Sequence, residues 1–251
     1  MTSAFDDHSA YTRFATDVIY KKRYIRSVST ERFLRSVRKT IPSRTSNYSK
    51  AKSFWRAQAG STLEHDNELG GEVRAPFKPE RMMPLPDRAL EGRANPKGKP
   101  VLYLCSNKEA AMSEVRPWLE TFISVGKFTT TKELKLVNCT KHASEDMHFS
   151  LFDDPPKSDW DEIVWSEIDK AFTTPVTRSD DSADYVPTQI LAELFREEGY
   201  DGILYRSAFG ERSVNLALFD LDSARLGDRE LHQVSSAKFN FRERGRRYKG
   251  A

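Results

Sequence analysis

Apolar side chains at helical spacing predict a helix near the start of the chain. Its apolar stripe consists of Phe33, Leu34, Val37 and Ile41. A stripe that recurs every three to four residues is typical of a helix that buries one face. Ser29 and Thr30 are its candidate N-caps, and Pro42 is expected to end it because proline cannot continue a helix.

Two further stripes predict helices in the second half of the chain. Ser158 is the expected N-cap of the first, whose apolar residues are Trp160, Ile163, Val164, Ile168 and Phe172. Thr188 is the expected start of the second, and Gly199 is its expected end. The apolar residues of this last helix are Ile190, Leu191, Leu194 and Phe195.

Short apolar runs predict six strands. They are Ser53–Gln58, Val101–Cys105, Phe122–Phe128, Leu134–Cys139, Gly202–Arg206 and Ser213–Phe219. We expect the last two to pair antiparallel, and the capping-box spacing of Ser106 and Glu109 to start a helix directly after the second. Because strands and helices interleave without a regular βαβ period, the predicted fold class is α+β.

These elements divide the chain into three predicted regions. They are an N-terminal helical extension over residues 1–50, a main domain over 51–220 and a basic C-terminal tail over 221–251. Ser43–Lys52 is polar and is interpreted as a linker, and Asp146–Pro156 as a loop. Ala59–Leu90 is long and irregular, with four prolines and three glycines. Loops of this length are commonly functional or mobile, so this one is a candidate cover for a ligand.

The composition indicates an ordinary globular protein. The chain has 251 residues, of which 31% are charged and 38% apolar. No apolar run approaches the roughly 18 residues that a membrane span needs. The N-terminus carries no basic-then-apolar leader, so we expect no export. Cys105 and Cys139 both end apolar runs and are expected to be reduced core residues of a cytoplasmic protein.

The net charge of +3 conceals two basic ends. Between Lys21 and Lys52 lie eleven Lys or Arg residues and one acid, and the tail is basic again from Lys238. Basic ends could bind nucleic acid or an acidic partner. A solvated helix face and a loose tail form the simpler interpretation, which we favour.

Several common kinds of site lack their motifs. There is no Gly-x-Gly-x-x-Gly, no phosphate-binding Gly-Lys-Ser/Thr loop and no Gly-x-Ser-x-Gly elbow. Cys139, His142 and His148 have a loosely metal-like spacing, but no second cluster completes four ligands. We therefore expect no metal. What remains is a set of polar residues on apolar elements, namely Arg56, Arg93, Tyr103, Glu114 and Ser207. Spacing alone does not bring them together, and each is also compatible with an ordinary structural role.

Five sequence blocks resemble one known family. They read FWRAQ, GRANPKGKPVLYL, SEVRPW, YDGILYRSAFG and NLALF, and together they span Phe54 to Phe219. This pattern is similar to the RES domain, the toxin half of bacterial toxin–antitoxin pairs. The resemblance implies a split β-sheet core like that of ADP-ribosyltransferases, NAD+ as the substrate, and a helix-turn-helix antitoxin as a candidate partner.

On this resemblance Arg56, Glu114 and Ser207 correspond to the arginine, glutamate and serine that name the family. Arg93 and Tyr103 fall at further active-site positions. The implied reaction cleaves the nicotinamide–ribose bond, which develops oxocarbenium character that a carboxylate stabilises. Glu114 would supply that carboxylate and hold a ribose hydroxyl, and the planar guanidinium groups of Arg56 and Arg93 would bind the diphosphate.

The remaining two residues would position other parts of the substrate. Tyr103 could contact the nicotinamide end, and Ser207 could orient the amide or the ribose. Residues 1–50 and the 59–90 insertion depart from compact members of the family. The sequence leaves open whether water, phosphate or a protein accepts the ADP-ribosyl group, and whether the chain forms a homo-oligomer. Alternatives are a protein ADP-ribosyltransferase, a binding module that uses the basic N-terminal segment, and a fold that has lost catalysis.

Overall fold

The computed structural model describes residues 3–68, 70–85, 88–141, 154–174, 182–238 and 240–241. Within them, the helices are α1 Ala10–Tyr20, α2 Val28–Thr40, α3 Pro79–Met82, α4 Lys108–Glu114, α5 Trp160–Thr173 and α6 Val186–Glu197. The strands are β1 Thr45–Tyr48, β2 Ser53–Ala59, β3 Thr62–Asp66, β4 Gly71–Ala75, β5 Leu102–Cys105, β6 Phe122–Thr130, β7 Leu134–Asn138, β8 Gly202–Arg206, β9 Val214–Leu218 and β10 Ala224–Gln233. The predicted α+β class is confirmed.

Eight of the strands form one mixed sheet in the order β1-β7-β8-β9-β5-β2-β6-β10. Only β7 and β8 are parallel among the pairs of the described sheet. The sheet is nearly divided in its middle, because β2 and β5 pair at a single position, Trp55 opposite Cys105. By contrast β2 pairs with β6 from Ser53 to Ala59. We call the β2–β5 junction the seam.

The two faces of the sheet bury separate cores. On one face α1, α2, α5 and α6 pack together, and their buried aromatic residues are Phe14, Phe33, Trp165, Phe172 and Phe195. The other face buries mainly leucines from the strands, including Leu102, Leu136 and Leu216. Alternation along β8 explains the division, since Ile203 and Tyr205 face the helices and Leu204 faces the second core. The N-terminal helices thus belong to the main core rather than to a detached appendage.

Helix starts differ from prediction because side chains that lie nearby cap more effectively. Ser27, not Ser29 or Thr30, caps α2, and its Oγ accepts a hydrogen bond from the backbone N–H of Thr30. Asn107, not Ser106, caps α4 by accepting from Ala110 N. Ser106 instead accepts a hydrogen bond from Val214 N and so ties β9 to the start of α4. In α5 the aromatic residues Trp165 and Phe172 are buried, whereas Trp160 is only partly buried.

Three segments that were interpreted as irregular contain regular structure. The linker contains β1, which pairs with β7, and the 59–90 insertion contains the β3–β4 hairpin and α3. The predicted tail contains β10, which pairs with β6 at the edge of the sheet. Edge strands carry polar residues on their open sides, so their sequences lack the apolar runs of central strands. The three-region division itself stays a prediction.

Residues 142–153, which include His142, His148 and most of the predicted Asp146–Pro156 loop, lie outside the described residues, as do 239 and 242–251 of the basic tail. Searched over the described ranges, no helix is long and apolar enough to cross a membrane. Cys105 and Cys139 are buried and unpaired, as expected.

Candidate active site

A cleft of about 380 Å³ opens at the seam of the sheet. Strand β2 contributes Arg56, β5 contributes Tyr103, and the end of α4 contributes Glu114. Arg93 reaches the cleft from the loop before β5. The volume of the cleft lies within the range of small-molecule sites. Four of the five sequence-predicted residues therefore meet around a space that could hold a ligand, and the fifth, Ser207, contacts Glu114.

Glu114 is anchored in this cleft by two neutral donors. Its Oε1 accepts a hydrogen bond from Ser207 Oγ at 2.9 Å and another from Asn215 Nδ2 at 2.8 Å. Oε2 has no hydrogen-bond partner among the described residues. Neither donor is charged, so these two bonds fix the orientation of the carboxyl group without pairing it with a cation.

The β8–β9 hairpin places both donors. Tyr205 is opposite Asn215 in the register of the two strands, and Ser207 follows β8 directly. The backbone N–H of Ser207 donates to Ser213 O at 2.9 Å, and Ser207 Oγ accepts from Phe209 N at 3.1 Å. The serine therefore belongs to a closed turn whose geometry holds its hydroxyl at the carboxylate.

Arg56 is held at the seam with part of its guanidinium unsatisfied. Its Nη1 donates to the carbonyl oxygen of Tyr103 at 3.2 Å, which links β2 to β5. Its Nε is buried and has no hydrogen-bond partner in the described structure. Burial lowers the pKa of Arg56 to about 10, and the positive charge of Arg81 acts in the same direction. The group stays protonated near neutral pH and has no anionic partner among the residues that the structure describes.

Tyr103 organises the loop that carries Arg93. Its hydroxyl donates to Asn95 Oδ1 at 2.7 Å and accepts from Ala94 N at 2.9 Å. At Gly92 a Cβ would lie 2.8 Å from the same hydroxyl oxygen, so only glycine fits there. Burial raises the pKa of Tyr103, which keeps the phenol protonated as a donor. The hydroxyl is thus engaged within the protein, while the ring lines the cleft.

Arg93 lies beside Tyr205 on the wall of the cleft. Burial raises the pKa of the Tyr205 phenol, although the charge of Arg93 and a hydrogen bond from it act in the opposite direction. Arg93 makes no ion pair with a carboxylate of the described residues. Within the described residues, Arg56 and Arg93 are therefore guanidinium groups of the cleft without acidic partners, and Glu114 is a carboxylate held by neutral donors.

Several lining residues were missed by the sequence interpretation. Asn215 stands inside an apolar strand run, Trp55 and Tyr205 lie on predicted strands with no site role assigned, and Tyr185 lies outside every predicted element. The one available signal was an amide within NLALF, where an apolar residue would suit a buried strand better. Asn215 is only 5% exposed, so its amide needed a buried partner, and Glu114 supplies one.

A second buried charge lies just behind Ser207. Asp169 of α5 is fully buried and accepts hydrogen bonds from Arg206 N at 3.1 Å and from Arg206 Nε. Thr173 Oγ1 donates to Arg206 O at 3.0 Å. Helix α5 thereby holds both backbone groups of Arg206, the residue directly before Ser207, through hydrogen bonds to its N–H and its C=O.

No group of three His, Cys, Asp or Glu residues within the described ranges could hold a metal ion. No curated protein matches the chain. One solved structure that resembles it is described as the crystal structure of the M. tuberculosis MbcT–MbcA toxin–antitoxin complex. The similarity covers 78% of this chain and 91% of that chain, with 17% identity and a TM-score of 0.42. The family model of the RES domain matches residues 53–241, which include every residue of the cleft described above, and the chain belongs to the RES domain family.

Proposed function

We propose that this protein cleaves the bond between nicotinamide and ribose in NAD+ and acts as the toxin of a toxin–antitoxin pair. The observation that carries the proposal is the carboxylate of Glu114, held by Ser207 and Asn215 in a cleft that also contains Arg56 and Arg93. Membership of the RES family supports the same reaction class.

The charges of the cleft match the charges of this substrate. The diphosphate of NAD+ is anionic, and Arg56 and Arg93 are guanidinium groups with no carboxylate partner in the described structure. Arginine's planar fork suits phosphate oxygens, so binding would satisfy groups that are otherwise uncompensated. Tyr205 and Tyr185 supply aromatic surface on the same wall for the nicotinamide ring.

The reaction needs one carboxylate rather than two. The electron pair of the C1′–N bond leaves with nicotinamide, which departs as a neutral molecule, so no general acid is required. Positive charge develops on the ribose, and Glu114 would stabilise it and hold a ribose hydroxyl. An oxygen of water or phosphate then forms the new bond to C1′. With water the acceptor's proton passes to solvent.

Incubation of the purified chain with NAD+ tests this proposal. We expect release of nicotinamide, with ADP-ribose formed in phosphate-free buffer if water is the acceptor. A product heavier by one phosphate group, formed only in phosphate buffer, would identify a phosphorylase. Mass spectrometry distinguishes these products, and transfer to an added protein would identify an ADP-ribosyltransferase. If NAD+ stayed intact under all three conditions, the proposed reaction would be wrong.

Toxicity and its control follow from the same proposal. Expression of the active chain should lower cellular NAD+ and stop growth, and co-expression of a neighbouring antitoxin, expected to contain a helix-turn-helix, should restore both. Growth arrest at an unchanged NAD+ level would contradict this mechanism.

A further inference from the structure

A second cavity of about 280 Å³ adjoins the cleft. The two spaces share Arg56, Gly92 and Tyr103 as common walls. The rest of the second cavity is formed by the end of the 59–90 insertion and by the loop that leads into β5. A ligand that extends past Arg56 from the cleft therefore enters a space that the insertion helps to build.

This cavity has an excess of positive charge. Among the described residues Arg56, Arg81 and Arg88 line it, against one carboxylate, Glu91. Arg81 lies over the ring of Phe77, with 5.2 Å between the guanidinium carbon and the ring centroid. Arg81 makes no ion pair with a described carboxylate, and its positive charge repels that of Arg56. An anion between these two arginines would relieve their repulsion and satisfy the buried Nε of Arg56.

The remaining wall is apolar. Met83, Leu85 and Val101 line the side of the cavity away from the cleft. Val101 is 6% exposed, and Met83 and Leu85 are partly buried, so a flat ring placed there would remove further apolar surface from water. Phosphate oxygens next to a planar, weakly polar ring are the chemical features of a nucleotide.

We propose that the second cavity binds the adenosine diphosphate half of the substrate, with the phosphates between Arg56 and Arg81 and the purine against the apolar wall. The identity of the complete ligand rests on the proposed function. The geometry assigns the nicotinamide end to the cleft, where Glu114 stands, and the adenosine end to the insertion. Arg81 is then a binding residue that the RES name-giving positions do not include.

Titration calorimetry with ADP tests this site without any turnover. ADP should bind the wild-type chain, and Arg81→Met should weaken its affinity about tenfold through loss of a charged hydrogen-bond donor. Arg74→Met is the matched control, because Arg74 of the insertion also lies over a phenylalanine ring, that of Phe122 on β6, but lines neither described cavity. It should leave the affinity within about twofold. Equal effects of the two substitutions, or no binding of ADP to the wild type, would overturn the proposal.

Two further ligands test separate parts of the proposed site. Inorganic diphosphate lacks the purine and should bind the wild type at least about tenfold more weakly than ADP. Nicotinamide riboside lacks both phosphates and the adenosine, and should bind the wild type and Arg81→Met equally. Diphosphate that binds as well as ADP, or riboside binding that depends on Arg81, would overturn the proposal.

The two proposals fail separately. Binding of ADP that depends on Arg81, with NAD+ left intact, would support the nucleotide site and contradict the proposed reaction. If NAD+ is consumed but Arg81→Met binds ADP as tightly as the wild type, the proposed reaction is supported and the nucleotide site is refuted.

Discussion

Asp169 of α5 and Glu114 in the cleft are both anchored by hydrogen bonds, but Asp169 is bonded to an arginine and Glu114 only to neutral donors. Arg206 satisfies Asp169 with its backbone N–H and its guanidinium. In the cleft the corresponding arginine is Arg56, whose nearest described partner is a backbone carbonyl. A carboxylate and a guanidinium group are therefore paired at α5, whereas in the cleft Glu114 and Arg56 are not bonded to each other.

This difference separates structural charges from binding charges. A buried carboxylate that already has a guanidinium partner stabilises the fold and has little left to offer a ligand. Groups held without a counter-charge raise the energy of the free protein and are satisfied only when a ligand brings the opposite charge. Substitutions in the first region should change stability, and substitutions in the second should change binding and catalysis.

The largest effect is expected at Asp169. Asp169→Asn should lower the free energy of unfolding by about 3 kcal/mol, because it leaves the guanidinium of Arg206 without its partner. The value lies at the low end for a buried pair because the Arg206 side chain is 35% exposed and can partly rehydrate. Urea denaturation measures it. Glu193→Gln, which breaks an exposed pair with Lys99, is the control and should cost less than about 1 kcal/mol. Equal losses would refute the comparison.

Glu114→Gln should show the opposite behaviour. We expect nicotinamide release to fall roughly a hundredfold or more, about 3 kcal/mol in the barrier, because the amide carries no charge to stabilise the ribosyl cation. The midpoint of urea denaturation should stay near the wild-type value. Glu109→Gln changes an exposed carboxylate on the same helix and should leave both quantities unchanged. An unchanged rate in Glu114→Gln would remove the central argument for the proposed reaction.

Two arginines whose Nε atoms are buried offer a direct contrast. Arg56→Met should raise the KM for NAD+ at least about tenfold, since one charged hydrogen-bond donor to the diphosphate is lost. Its stability should not fall by more than about 1 kcal/mol, because the substitution also removes an uncompensated charge. Arg44 is paired with Glu162 at 2.9 Å, and Arg44→Met should lower the free energy of unfolding by about 2 kcal/mol. If the two substitutions gave the same stability loss, Arg56 would be a structural arginine.

The smallest effect is expected at Ser207. Ser207→Ala removes one of the two donors to Glu114 and should lower kcat by about fivefold, which corresponds to about 1 kcal/mol. In the Glu114→Gln background the same change should have almost no effect, because the carboxylate that the serine orients is gone. Steady-state kinetics of the double-mutant cycle measures this coupling. Independent, multiplicative losses would contradict a positioning role.

Much of the site could be predicted from the sequence, because the apolar patterns located the strands and the helix that bear its side chains. The apolar runs that predicted β2 and β5 also place Arg56 and Tyr103, and the RES resemblance identified Glu114 as the acid. Asn215 escaped because it interrupts an apolar run without breaking it, and only the tertiary fold shows which carboxylate it meets. Asp169 escaped because a charge on a helical stripe looks like an ordinary solvated residue until its partner strand is known.

The edges of the sheet were the least accessible part of the fold. Along β10 exposed and partly buried residues alternate irregularly, and the register shifts between Leu226 and Arg229. A strand with few buried side chains has almost no apolar period, so its pairing with β6 is not visible in the sequence. The same reason explains why β1 was interpreted as part of a linker.

The seam has a mechanical consequence. With one residue pair joining β2 to β5, the two portions of the sheet are held there by few backbone hydrogen bonds. A dinucleotide that binds across Arg56 would contact both portions of the sheet and hold them together where the strands share few hydrogen bonds. Hydrogen–deuterium exchange would then slow on ligand binding at amides on both sides of the junction, while the long β2–β6 pairing, already protected, would change little.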